Sequence, residues 1–174
     1  MKKLLIVVDM QVDFVDGALG TPEAQAIVAP VVEKIKAHQG PVVFTRDTHG
    51  EDYLQTQEGR NLPVKHCIKD TEGWQLTPAV EALVGDCRVF DKITFGSVEL
   101  ARYVSRLFQA GEIGGVELIG LCTDICVISN AMLVKAAEPE MEVSVDGTCC
   151  AGVTPQSHKN ALEAMKMCQI RVQI

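Results

Sequence analysis

The sequence predicts a three-layer α/β/α sandwich built on a mainly parallel, six-stranded sheet. Short apolar or β-branched runs alternate with helix-length segments, and that repetition implies parallel strands joined by right-handed crossovers. The run LLIVV at residues 4–8 is apolar without alternation, as expected of a strand covered on both faces. A chain of 174 residues, 47% hydrophobic and 5% aromatic, is long enough for one sizeable core and too short for two ordinary ones. A single domain over residues 1–174 is expected.

The elements follow in order. Strands are expected at KKLLIVVD (2–9), PVVFTRD (41–47), CRVFDK (87–92), GVELIGL (115–121), EVSVD (142–146) and IRVQI (170–174). Helices are expected at 22–38, 77–84, 97–110, 124–138 and 155–167. No internal repeat or low-complexity linker interrupts them. One connection breaks the rhythm: residues 47–74 are polar with few helix or strand signals, and loops of that length in compact domains are usually functional or disordered.

Charge and cysteine content narrow the function. A net charge of -7 with no run of lysines or arginines argues against nucleic acid or an anionic membrane, both of which need clustered positive charge. Small molecules or proteins are the expected partners. The apolar stretch at 4–8 is far too short to span a bilayer or to form a signal-peptide core, so a cytoplasmic location is expected. Seven cysteines, an odd number without a secretory signal, read as reduced thiols and not as a disulfide framework.

In an open parallel sheet, ligands bind outside the carboxyl ends of the strands. Asp9 follows the first strand, Asp47 the second, Lys92 the third and the segment CTDIC (122–126) the fourth. Each has an ordinary explanation alone: a turn aspartate, a solvated lysine, a core cysteine. Together, at successive strand ends, they point to a site. Cys126 would sit in the first turn of the 124–138 helix, with Asp124 as N-cap, where the helix dipole lowers a thiol's pKa. Asp9 could take the thiol proton and later activate water, with Lys92 holding the carboxylate charged and oriented. Backbone N–H groups at the helix start could receive an oxyanion. Cys122 precedes the helix and lacks that advantage. The C-x-x-x-C spacing differs from the C-x-x-C of redox motifs and zinc knuckles. The glycines of DMQVDFVDGALG are in the wrong register for G-x-G-x-x-G, and no P-loop appears. Cys149 and Cys150 are expected just after the fifth strand.

The segments LLIVVDMQVDFVDGALG, VVFTRDTHGEDY…LPVKHC, FDKITFGS and GLCTDICV together resemble the isochorismatase-like cysteine hydrolases, most closely the nicotinamidase and related amidase branch. The resemblance covers nearly the whole chain in order. It implies a catalytic Asp9, Lys92 and Cys126, and a non-proline cis peptide between Leu121 and Cys122 that aims the amides of Cys122 and Cys126 at the oxyanion. It also implies that Asp47, His49 and His66 hold a divalent metal, zinc foremost, with manganese and iron(II) as alternatives for an oxygen and imidazole set. Glu58 is a candidate extra ligand, and Phe14 a candidate apolar wall for the substrate. One departure stands out: where nicotinamidases commonly carry a stacking aromatic three residues before the second histidine, this chain has Pro63. The implied activity is hydrolysis of a small amide such as nicotinamide through a thioester, in a homo-oligomer. A carbamoyl or ureido C–N hydrolase, or a non-catalytic small-molecule binder, are the alternatives.

Overall fold

The computed structural model describes residues 1–174. Six strands form one sheet: β1 (Lys3–Val8), β2 (Val42–Asp47), β3 (Arg88–Lys92), β4 (Gly115–Leu121), β5 (Glu142–Ala151) and β6 (Arg171–Gln173). Their order is β3-β2-β1-β4-β5-β6, and every neighbouring pair is parallel. The helices are α1 (Val12–Val15), α2 (Pro22–Ala26), α3 (Val28–Ala37), α4 (Gln57–Asn61), α5 (Pro78–Glu81), α6 (Val98–Gln109), α7 (Ile128–Ala137) and α8 (Pro155–Met167).

The continuous apolar run of β1 has the expected cause. Leu4, Ile6 and Val8 enter a core shared with α6, α7 and α8, while Leu5 and Val7 enter a second core beneath α1, α2, α3 and α5. All five side chains are fully buried, and each contributes roughly 1.5–3 kcal/mol relative to an exposed position. Gly120 lets β4 lie close beside β1. Its φ is +114°, and a Cβ there would stand 2.1 Å from the Val8 carbonyl oxygen, so no other residue fits.

Several boundaries differ from the sequence expectation. The segment 22–38 is two helices, because Pro30 has no N–H and would clash inside a continuous helix, whereas a restart at Val28 puts it in a first turn. The loop at 47–74 contains α4 and two short 3-10 turns, at Tyr53–Gln55 and Glu72–Trp74. Strand β5 runs on to Ala151, past a shift of register against β4 between Leu118 and Gly120. Asp146 closes that irregularity by accepting from the Thr148 N–H and hydroxyl. Cys149 and Cys150 are therefore strand residues, buried in opposite cores. No helix is long and apolar enough to cross a membrane.

Candidate active site

The carboxyl ends of β1, β2, β3 and β4 deliver the four groups to one place. Asp9 is fully buried at φ 46°, a left-handed conformation that aspartate tolerates better than most residues. Its Oδ1 accepts the Thr45 hydroxyl at 2.5 Å, and its N–H donates to the Thr45 carbonyl at 3.2 Å. Lys92 Nζ lies 2.7 Å from Asp9 Oδ2, 3.3 Å from Asp47 Oδ1 and 3.3 Å from Cys126 Sγ, and donates to the Thr94 carbonyl at 3.1 Å. The ammonium is spent on these partners. Asp9 Oδ2 makes no aligned hydrogen bond despite its ion pair, which leaves a lone pair free for a proton.

Cys126 lies on a turn that the sequence reading drew differently. Residues Thr123–Val127 form one wide π turn ahead of α7, with Cys122 at the cap position. Asp124 is not the N-cap: its carboxylate accepts the Val153 N–H at 3.1 and 3.2 Å, tying the turn to the loop after β5. Thr123 adds a second tie, a 2.7 Å hydrogen bond between its hydroxyl and His158 Nδ1 on α8. The peptide between Leu121 and Cys122 is cis, and the Cys122 N–H makes no hydrogen bond to the rest of the chain.

The thiol's electrostatics also depart from expectation. Burial, then the charge of Asp9, push Cys126 well above the ordinary thiol value, and Lys92 only partly opposes them. The helix start does not win here, because the thiol is fully buried next to a carboxylate. Burial likewise raises Asp9 against the pull of Lys92. Burial thus favours the protonated form of both groups, and a carboxylate of raised basicity beside the thiol suits proton transfer as the sulfur attacks.

Beyond Lys92, Asp47, His49, Glu58 and His66 bring one ligand atom each to within 4.8 Å of one another. Gln11 fixes the Asp47 backbone, accepting its N–H at 2.7 Å and donating to its carbonyl at 2.8 Å. Asp47 Oδ2 faces His49 Nε2 at 2.9 Å and His66 Nε2 at 3.5 Å; Glu58 Oε1 faces the same nitrogens at 3.6 and 3.8 Å. Ligands about 2.1 Å from a common ion stand roughly 3 to 3.5 Å apart, so the spacing suits a metal. The donor chemistry agrees. His66 Nδ1 meets the Val64 carbonyl at 2.8 Å, which can only accept, so Nδ1 carries a hydrogen and Nε2 is the nitrogen left facing the two carboxylates, where it can carry a proton to them or ligate a cation shared with them. Burial pushes Asp47 up, but His49, His66 and Lys92 outweigh it and hold the carboxyl below the usual range.

An isochorismatase domain pattern matches residues 3–173. The chain belongs to the isochorismatase family. Within it, the pyrazinamidase of Pyrococcus horikoshii, solved in complex with zinc, is 29% identical over 100% of both chains with a TM-score of 0.80. The nicotinamidase/pyrazinamidase PncA of Bacillus subtilis is 27% identical over 100% of both, also at 0.80. The N-carbamoylsarcosine amidase of Thermoplasma acidophilum is 28% identical over 99% of this chain and 96% of that one, at 0.77. The six-stranded all-parallel sheet is the isochorismatase-family fold.

This isochorismatase-family chain surrounds its thiol with a cavity of about 270 Å³. Phe14, Cys122 and Cys126 line it, as do Asp47, Glu58 and His66. Pro63 does not; its neighbour Leu62 does. Trp74 stays outside, buried under Arg46 with its N–H donated to Thr48. Sequence reasoning missed Thr45 and Gln11, which orient the two aspartates. Thr45 carried a usable signal, being two residues before Asp47 on one strand and so on the same face.

Proposed function

We propose that this chain is a cysteine amidohydrolase that cleaves a small primary amide to acid and ammonia through a thioester, with a divalent metal at Asp47, His49, Glu58 and His66. The observation that carries the reading is the buried Asp9–Lys92–Cys126 group, whose thiol lines the cavity. A protein that merely bound small molecules would have no use for a thiol paired with a lone carboxylate oxygen.

Asp9 Oδ2 takes the proton as Cys126 Sγ attacks the amide carbon, and Lys92, 3.3 Å from the sulfur, keeps the developing thiolate and the carboxylate in one field. The N–H groups of Cys122 and Cys126 receive the oxyanion, a role supported by the Cys122 N–H having no partner in the chain. Asp9 then hands its proton to the leaving nitrogen, and ammonia departs. Water enters, gives a proton to Asp9 and attacks the thioester; collapse returns the thiol. The metal, when bound, supplies a Lewis-acidic anchor for an electron-pair donor on the substrate.

Nicotinamide is the first candidate substrate, supported by the likeness to nicotinamidases and pyrazinamidases. The likeness to the N-carbamoylsarcosine amidase supports a second reading, hydrolysis of a carbamoyl C–N bond by the same residues. Ammonia release by zinc-loaded protein from nicotinamide, pyrazinamide and N-carbamoylglycine tests both. Turnover of at least one, lost in Cys126→Ala, is expected. Turnover surviving that substitution, or absent throughout, defeats the amidohydrolase reading.

A further inference from the structure

The cavity wall distinguishes between those two readings. Away from the thiol and the metal ligands it is made by Leu19, Ala24, Leu62, Phe95, Ile125 and Val153, with Thr21 as the one hydroxyl. No lysine or arginine lines it. Lys92 is fully engaged by Asp9, Asp47, the Thr94 carbonyl and Cys126. On the loop that carries Glu58 and His66, Arg60 turns to the Gln55 carbonyl and Lys65 to Glu51, and neither they nor Lys69 line the cavity. A carboxylate on the substrate would find no cation among the side chains.

The metal does not fill that gap. Asp47 and Glu58 together carry the charge that balances a divalent ion, so the loaded cluster offers no net positive charge, and the chain's net charge of -7 repels anions at longer range. Leu62, Phe95 and Val153 are themselves partly exposed, so the penalty for an unpartnered carboxylate falls on one seated deep in the cavity beside the thiol, where the carboxylate of an N-carbamoyl amino acid would lie. Size adds a second constraint. An apolar cavity of about 150 Å³ holds a benzene ring; the 270 Å³ here includes the room a metal ion would take beside Asp47, Glu58 and His66, and the rest still takes a six-membered ring, the carboxamide and a small substituent.

We infer that the acyl half of the substrate is uncharged and apolar and extends beyond a bare pyridine ring, and that N-carbamoyl amino acids are excluded. This rests on the amidohydrolase reading of the same site. It assigns Leu62 and Val153, and not a charged group, to substrate selection.

The test compares nicotinamide, a ring-methylated nicotinamide and N-carbamoylglycine, by ammonia release with zinc-loaded wild type and by calorimetric binding to zinc-loaded Cys126→Ala. The methylated amide is expected to keep kcat/KM within about threefold of nicotinamide, whereas a methyl group forced into a filled pocket costs about tenfold or more. N-carbamoylglycine is expected to fall at least about 100-fold below both, in turnover and in affinity, for want of a countercharge. Faster turnover of N-carbamoylglycine overturns the inference and leaves the amidohydrolase standing. Absent turnover with retained binding of the apolar amides defeats the amidohydrolase and leaves the ligand class standing. Failure of Cys126→Ala to bind either apolar amide overturns the inference, as does exclusion of the methylated one.

Discussion

Lys92 Nζ stands 3.3 Å from Asp47 Oδ1, and that contact makes the two halves of the site share one buried cation. Asp47 turns its other oxygen to His49 and His66, while Lys92 turns to Asp9 and Cys126. A change at either residue is expected to reach both the thiol and the cluster of Asp47, His49, Glu58 and His66.

Lys92→Met keeps the stem and removes the charge. Asp9 is then a fully buried carboxylate without its cation, so stability is expected to fall by about 3–5 kcal/mol and turnover to vanish as Asp9 takes up a proton. Urea unfolding of metal-loaded wild type and variant measures the first; an unchanged midpoint contradicts the pairing.

Asp9→Asn retains size and the Thr45 contact but cannot accept the thiol proton. The expected loss in kcat is about 10²–10⁴-fold, the usual worth of a positioned base, with a smaller change in KM. A loss confined to KM assigns Asp9 to binding instead.

Iodoacetamide is itself a small amide of a size the cavity admits. Loss of activity is expected to follow alkylation of Cys126, mapped by peptide mass spectrometry, and to be slowed by nicotinamide. Cys168 is exposed and is expected to label without loss of activity. Inactivation that tracks any other cysteine removes Cys126 as nucleophile.

Purified protein is expected to hold close to one divalent ion per chain, and His49→Ala or His66→Ala to lose it. Because Glu58 and His66 sit on the loop with α4, chelation is also expected to speed amide hydrogen exchange across residues 50–66. An unchanged exchange pattern after complete removal of metal would show that the ion does not organise this loop.

His158 gives a pH prediction away from the metal ligands. Burial, reinforced by Lys159 and opposed by Asp124, lowers its pKa from the ordinary value. The unfolded chain therefore binds this proton more readily than the folded one. The group's contribution is fully present above about pH 6.5 and is lost as pH falls through that value toward the folded pKa. The Tm advantage of wild type over His158→Gln is expected to shrink on acidification; a growing advantage reverses the sign and rejects the burial argument.

The parts legible in the sequence were those governed by local pattern. Apolar runs ending in Asp9, Asp47 and Lys92 placed three groups at one sheet edge, since strand direction and crossover hand are nearly fixed by chemistry. Three-dimensional crowding decided the rest. Nothing local says that β5 resumes after the Asp146 irregularity, that Cys126 lies on a π turn tied to Val153 and His158, or that burial outweighs the helix start at its thiol. Leu19, Phe95 and Val153 come from separate connections, and only the folded chain shows that they share a wall.

The central place of β1 has a consequence for how the protein is made. Its partner across the sheet is β4, with Lys3 beside Gly115 and Val8 beside Gly120, so β1 waits for more than a hundred further residues before its second neighbour leaves the ribosome. Until then Leu4, Ile6 and Val8 belong to a core whose other walls do not yet exist, and the nascent chain presents a sticky, unpaired edge of the kind chaperones bind. Cys126 follows β4 directly, so the step that covers this edge also brings the thiol toward Asp9, while the ties of its turn to Val153 and His158 wait for residues made later.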